Sequence, residues 1–445
     1  MRERRRHGAG FTALVAARVL AAALAAASSV ASAAESSAES SAESSAESSA
    51  ESSAASSAAS SAELAAPPAA AEGMAADLPQ SNLIARGAYL ATAGDCTACH
   101  TAPGGKPFAG GLRIETPFGV LVSANITPDR AAGIGAWSDD DFLRSMQQGL
   151  APNGAHLYPA MPYPFFTRVT RADLLAIRAY LATLEPVNET VETNRLPFPF
   201  DVRASVAVWN ALNFSAGELR PDPSRSAEWN RGAYLVNGLG HCGACHTPKN
   251  LLGGDKNSRP LAGGVLQGWY ATPLDDDRRT GLGAWNIADI VSYLKTGWGG
   301  GQAASGPMAL VVANSTSQMS DADLHAISVY LKDVVAPPST VSPLDRDSAP
   351  MRAGRALYLD SCAACHTGAG EGVSGIAPKL AGSPVVQAAA TDTLLDVVLN
   401  GVQAVATDAA PTAPAMPAFG WQLSDDQIAA LLTYIRNDWG NAASA

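Results

Sequence analysis

Long apolar runs, strand-like alternation and unassigned cysteines are all missing from this 445-residue chain. Beyond residue 33 no segment offers about 18 uninterrupted apolar residues, the length a helix needs to cross a bilayer, so no transmembrane helix is expected in the mature chain. Strand signals are sparse, which points to an all-α class. Basic residues are in deficit: 30 Lys and Arg stand against 41 Asp and Glu, for a net charge of −11. That balance argues against nucleic acid and other polyanionic partners. The six cysteines all fall in closely spaced pairs. None is left for a disulfide, a structural zinc or a free nucleophile.

What is present is one pattern written three times: Cys96-Thr97-Ala98-Cys99-His100, Cys242-Gly243-Ala244-Cys245-His246 and Cys362-Ala363-Ala364-Cys365-His366. C-x-x-C-H is the attachment signature of c-type haem. Two thiols add across the vinyl groups of one porphyrin, and the adjacent imidazole becomes the proximal iron ligand. A zinc site built from any one copy would lack donors, because four Cys or His ligands are normally needed. A thioredoxin-type redox pair would not need a histidine after every copy. The reading is therefore three covalently bound haems c, held by Cys96, Cys99, Cys242, Cys245, Cys362 and Cys365, with His100, His246 and His366 on the irons.

The length allows about three domains. At the N-terminus Arg2, Arg4, Arg5 and Arg6 precede an apolar run and a small-residue site at Ala31-Ser32-Ala33, which reads as an export signal over 1–33; a retained membrane anchor is the rival reading. A Ser/Ala/Glu repeat follows and reads as a disordered spacer over 34–80, too polar to offset its ordering entropy. Three haem domains are expected at 81–190, 227–336 and 350–440. They are separated by an apolar connecting segment at 191–226 and a Pro/Ser linker at 337–349, with a tail at 441–445. The connection holds Leu196-Pro197-Phe198-Pro199-Phe200 and Val206–Leu212, too apolar for a free linker, and is expected to pack within the chain.

The units repeat each other. Arg86-Gly87-Ala88-Tyr89-Leu90 matches Arg231-Gly232-Ala233-Tyr234-Leu235 and, approximately, the segment around Gly354. The shared glycines suggest helix-on-helix contact where a small residue lets backbones approach. Ser138 and Asn286 are N-cap candidates. Each unit closes with a helix opened by Thr170, Ser320 or Ser424 and an acidic first turn, as the helix dipole favours.

Each iron also needs a sixth ligand. Methionine sulfur suits haem iron. Met161, Met308 and Met416 lie 61, 62 and 50 residues after their histidines, each beside proline and before a capped helix. They are expected to sit in loops and to ligate iron; Met319 is the rival in the second unit. His156 and His241 are candidate supporting groups, and His325 reads as surface or packing. A neighbouring carbonyl, with Pro103, Pro248 and Pro378 following the motifs, is expected to accept the proximal imidazole N–H.

These residues resemble the tri-haem cytochrome c subunit of bacterial membrane-bound alcohol, gluconate, sorbitol and fructose dehydrogenases. The resemblance spans about residues 83–439. It is carried by the three motifs, the Tyr-Pro-Ala-Met-Pro-Tyr run at 158–163, the Gly-His-Cys-Gly-Ala-Cys-His run at 240–246 and the Leu-Pro-Phe-Pro-Phe connection. It implies three class I cytochrome c folds with axial pairs His100/Met161, His246/Met308 and His366/Met416. It further implies electrons taken from a flavin- or PQQ-dependent dehydrogenase subunit, ubiquinone or another respiratory acceptor, and no catalytic site in this chain. Family members commonly carry a C-terminal membrane-holding segment, whereas this chain ends soon after its last helix. Peripheral association with the outer face of the cytoplasmic membrane, on the periplasmic side, is the expectation. The rivals are a soluble or oxidase-linked shuttle and a haem peroxidase, which would require a vacant sixth position.

Overall fold

The computed structural model describes residues 80–337 and 341–443. The expected export signal, nearly all of the spacer and part of the second linker lie outside them. Three helix pairs make the frame. Gln80–Ala93 packs on Arg171–Leu181, Ala227–Tyr234 on Asp321–Leu331, and Ala349–Ser361 on Asp425–Asn437. Between the members of each pair lie the C-x-x-C-H turn and a further helix, Asp139–Gln148, Ile287–Thr296 or Asp392–Asn400. The chain is mostly helical, but four two-stranded antiparallel pairs occur among the described residues. The longest, Arg113–Thr116 with Gly119–Val122, pairs Arg113 with Val122 and Thr116 with Gly119.

Local chemistry sets the helix starts. Ser138 and Asn286 form full capping boxes with Asp141 and Asp289, and Ser424 does so with Gln427. Thr170 and Ser320 accept the N–H groups of Asp173 and Asp323. Each such cap satisfies an orphan donor and is worth about 1 kcal/mol. The helix pairs cross at glycine. A Cβ at Gly87, Gly232 or Gly354 would stand 1.9, 2.0 or 2.1 Å from the carbonyl oxygen of Ala176, Ala326 or Ala430. No side chain fits there.

The first two pairs share one apolar core, with Leu90, Val169, Leu174, Leu235, Leu239 and Leu324 nearly inaccessible. The third has its own, built on Met351, Tyr358, Leu431 and Tyr434. The reason is polar. Asp173 takes the Arg86 guanidinium at 2.5 Å and, from the other pair, the Tyr234 hydroxyl at 2.7 Å. Asp323 takes Arg231 at 2.7 Å and, again across, the Tyr89 hydroxyl at 2.6 Å. The tyrosines thus exchange between the two pairs, with approximate two-fold symmetry. At the matching places the third pair carries Ala353, Ala356 and Gln427, which cannot make this network. It attaches through other bonds, including Arg279 to the carbonyls of Gln387 and Ala442.

The connecting segment packs within the chain in part. It forms the helix Ser205–Asn213, with Val206 buried, Asn210 accepting from Tyr163, and Trp209 donating to the Leu252 carbonyl. Phe198 and Leu212 nevertheless remain outside, 75% and 68% exposed.

Burial alone would raise the Asp323 carboxyl, but hydrogen bonds from Arg231 and Tyr89 outweigh it and hold it below the ordinary aspartate value. A depressed folded value gives stability that is complete above the unfolded pKa and is lost as the pH falls through the folded one. Tyr89→Phe and Tyr234→Phe should each cost about 1.5–3 kcal/mol, the worth of a bond to a charged group. The double variant should separate the joint unfolding of the first two repeats into two transitions by calorimetry. A single unshifted transition would show that the shared apolar core suffices.

Candidate haem-binding sites

Each motif sits on a short helical turn: Cys96–His100, Gly243–His246 behind Cys242, and Ala363–His366 behind Cys362. Helical spacing puts residues three and four apart on one face. In each motif the first cysteine therefore shares a face with the second cysteine and with the histidine. Backbone strain marks the boundaries. Asp95 and His241, just before the first two motifs, and Thr367, just after the third, have φ of 50°, 38° and 62° without being glycine, the kind of cost that collects at functional sites. In the second repeat a widened π turn, Leu235–Leu239, carries the helix into the motif, a form frequent at such sites.

All six thiols are free. Burial pushes Cys96 and Cys242 up to about 12, and Cys99 and Cys362 up to about 11. Among the described residues no group of three or more His, Cys, Asp or Glu is gathered to hold a metal ion.

The imidazoles are committed at one nitrogen. His100 Nδ1 bonds the Ala124 carbonyl at 2.6 Å, His246 Nδ1 the Thr272 carbonyl at 2.6 Å, and His366 Nδ1 the Pro378 carbonyl at 2.9 Å. Donation from Nδ1–H fixes the tautomer and leaves Nε2 with its lone pair free. Burial lowers all three imidazoles below their ordinary value, so each stays neutral, the form that binds iron. The expected carbonyl acceptor is present at every motif, but proline supplies it only at Pro378; Pro103 and Pro248 do not. In the first two repeats it follows a hairpin, 24 and 26 residues beyond the histidine. A neutral, aimed imidazole beside two free thiols on one face fits a covalent haem at each motif.

The methionines are placed differently from one another. Met161 lies in a bend, partly buried against the shared core. Met308 is not in a loop: it is the third residue of the helix Gly306–Asn314, beside Tyr293, Ala304 and Val405. Pro307 is tolerated there because an N–H in the first turn has no helical partner. Met416 lies in a two-residue strand opposite Val402, against the third core. Met319 is 3% exposed within the shared core, and its carbonyl accepts from Lys295.

His241 is partly buried, edge-on against Phe166, with Nδ1 bonded to the Leu239 carbonyl. His325 pairs with Glu228 at 2.7 Å on the surface. His156 Nδ1 is buried without a hydrogen-bond partner among the described residues. Asp95 was not singled out by sequence. Its Oδ1 is likewise unpartnered, and burial pushes its carboxyl up to about 7. A single aspartate in a turn carries no pattern by which to find it.

A helical chain with thiol pairs and aimed imidazoles of this kind is a c-type cytochrome. The cytochrome c family model matches residues 84–185 and 351–439. The chain is 40% identical over 392 residues to a gluconate 2-dehydrogenase cytochrome c subunit of Pantoea cypripedii, spanning 84% of this chain and 89% of that one. It is 39% identical to the cytochrome c subunit of an alcohol dehydrogenase (quinone) of Gluconacetobacter polyoxogenes, over 82% of each chain. It is 37% identical to a fructose dehydrogenase cytochrome subunit of Gluconobacter japonicus, over 81% and 80%. The chain belongs to the cytochrome c family, in the group of dehydrogenase cytochrome c subunits, and its cofactor is covalently bound haem c.

A Cβ on Gly243 would meet the Phe165 ring at 2.8 Å and Thr247 Oγ1 at 3.2 Å. Gly243→Val should therefore displace the second motif's turn and lower the haem-to-protein ratio measured as pyridine haemochrome. An unaltered ratio would mean that this turn tolerates the displacement.

Proposed function

We propose that the chain is a tri-haem electron-transfer subunit with one haem c on each C-x-x-C-H motif and no substrate chemistry of its own. The axial pairs are His100/Met161, His246/Met308 and His366/Met416. They sit in three consecutive cytochrome c domains at 81–190, 227–336 and 350–440. The observation that carries this reading is the threefold imidazole-to-carbonyl bond beside a pair of free thiols.

Bound haem supplies a one-electron iron couple at each site. The chain's residues do the rest. The thiols would hold each haem, and the carbonyls of Ala124, Thr272 and Pro378 hold the imidazoles in one tautomer and orientation. Methionine opposite histidine favours a relatively high potential. Histidine and methionine ligands together would leave neither oxidation state in need of an open site, which would suit transfer rather than peroxide chemistry.

The relatives are named as subunits of gluconate, alcohol and fructose dehydrogenases. By that likeness the electron donor is a flavin- or PQQ-dependent dehydrogenase subunit, and the acceptor is ubiquinone or another respiratory carrier. The basic, apolar N-terminal sequence supports a periplasmic setting, with peripheral association at the cytoplasmic membrane. Among the described residues no helix is long and apolar enough to cross a membrane.

Met161→Ala, Met308→Ala and Met416→Ala should each remove about one third of the methionine-to-iron charge-transfer band of the oxidised protein; an undiminished band sinks the corresponding pair. Purification from detergent-solubilised membranes should bring down a flavin- or quinone-bearing subunit, and alcohols, aldoses or gluconate should then reduce the haems. A lone protein reduced by none of them would favour a shuttle.

A further inference from the structure

We propose that the Trp298–Ala303 hairpin of the second repeat is a positioning strap for His366, so that the third haem site is completed by residues of its neighbour. The proposal rests on reading His366 as an iron ligand. One peptide unit joins the two. The Pro378 carbonyl accepts the His366 Nδ1–H at 2.9 Å, and the N–H of the same unit, that of Lys379, donates to the Gly301 carbonyl at 2.8 Å. Hydrogen bonds in series polarise one another, so the outer bond bears on the inner one.

Gln302 clamps the same segment from the side. Its Nε2 donates to the Lys379 carbonyl at 3.0 Å, and its Oε1 accepts from the buried Ser383 hydroxyl at 2.7 Å. Gly301 has φ +76°, and a Cβ on it would stand 3.3 Å from Lys379 Cβ, so the approach is close. Strands Trp298–Gly299 and Gln302–Ala303 hold the strap's ends.

The other two sites show what the strap replaces. After His100 and His246 the chain forms a hairpin within its own repeat, Arg113–Val122 or Gly264–Ala271, before supplying Ala124 or Thr272. After His366 only a single antiparallel bridge, Val373 with Ala377, intervenes, and the acceptor comes 12 residues on. The neighbour's hairpin braces this short loop from outside. A peptide relay of this kind is absent at the second site, where Thr272 is followed by Pro273 and the peptide nitrogen has no hydrogen. The hairpin also leads, within five residues, to Met308, so one strap touches the surroundings of two sites.

The test uses full-length holoprotein. Gln302→Leu removes both clamp bonds at similar size, together with the 3.3 Å donation of Nε2 to the Gly301 carbonyl, and Gln302→Glu keeps only the acceptor for Ser383. Spectroelectrochemical titration reads the three couples, the third being identified by its displacement in Met416→His. Loosening the Nδ1–H bond makes the imidazole a weaker donor to ferric iron. Gln302→Leu should therefore raise the potential of the third couple alone and move the hyperfine-shifted proton resonances of its histidine, with Gln302→Glu in between. Three unmoved couples, or three that move together with a fall in melting temperature, would overturn the strap. His366→Ala tests the premise separately: if all three couples survive it, the ligand assignment fails whatever Gln302→Leu does.

Discussion

A carbonyl oxygen about 2 Å from where a side chain would begin is the constraint on which the rest of this structure depends. At Gly87, Gly232 and Gly354 two helices touch backbone to backbone. An alanine at any of them would have to push its helix away by more than an ångström. Such contact fixes both the separation and the crossing point of the pair, because ridge-into-groove packing has few solutions once the backbones meet. The haem motif begins eight to ten residues beyond the crossing glycine in each repeat. The crossing thus fixes the helix that leads into the thiols and imidazole.

That much was legible in the sequence, because it is local. The glycines recur in register with leucine, and in the first two repeats with tyrosine, the caps are Ser, Thr or Asn followed three residues later by an acid or amide, and each C-x-x-C-H is five contiguous residues. What was not legible depends on residues distant in the chain. Asp173 and Asp323 look like first-turn acids and nothing more; that each accepts a tyrosine from the other repeat needs both repeats in place. The carbonyls that orient His100 and His246 belong to Ala124 and Thr272, which no side-chain code announces. The hairpins that deliver them are three or four residues a strand, too short for alternation to stand out. Met308 was expected in a loop because Pro307 precedes it, yet proline in a first helical turn is as much a start signal as a break.

The third repeat lacks the hairpin after its histidine, and it departs from the other two by substitution at the interlock as well. Replacing the arginine, tyrosine and aspartate by Ala353, Ala356 and Gln427 removes every charged member of the interlock. A partial replacement would have been worse, since one buried carboxylate left without its guanidinium costs several kcal/mol. Loss of the whole set frees the repeat to keep its own core and to lean on its neighbour through neutral contacts such as Thr393 with Tyr270. Two repeats are thus fused, and the third is fastened to them.

The use of backbone carbonyls behind the three imidazoles has its own logic. A carboxylate at those positions would be a stronger acceptor, but it would bring a buried charge whose desolvation the apolar cores could not offset, and it would draw the imidazole toward imidazolate. A carbonyl keeps the ring neutral and directed. Its strength as an acceptor then depends on what the rest of its peptide unit does. That unit is extended by a further hydrogen bond at Pro378–Lys379 and capped by a hydrogenless nitrogen at Thr272–Pro273. Three motifs of one C-x-x-C-H pattern thus meet their carbonyl acceptors in unequal surroundings.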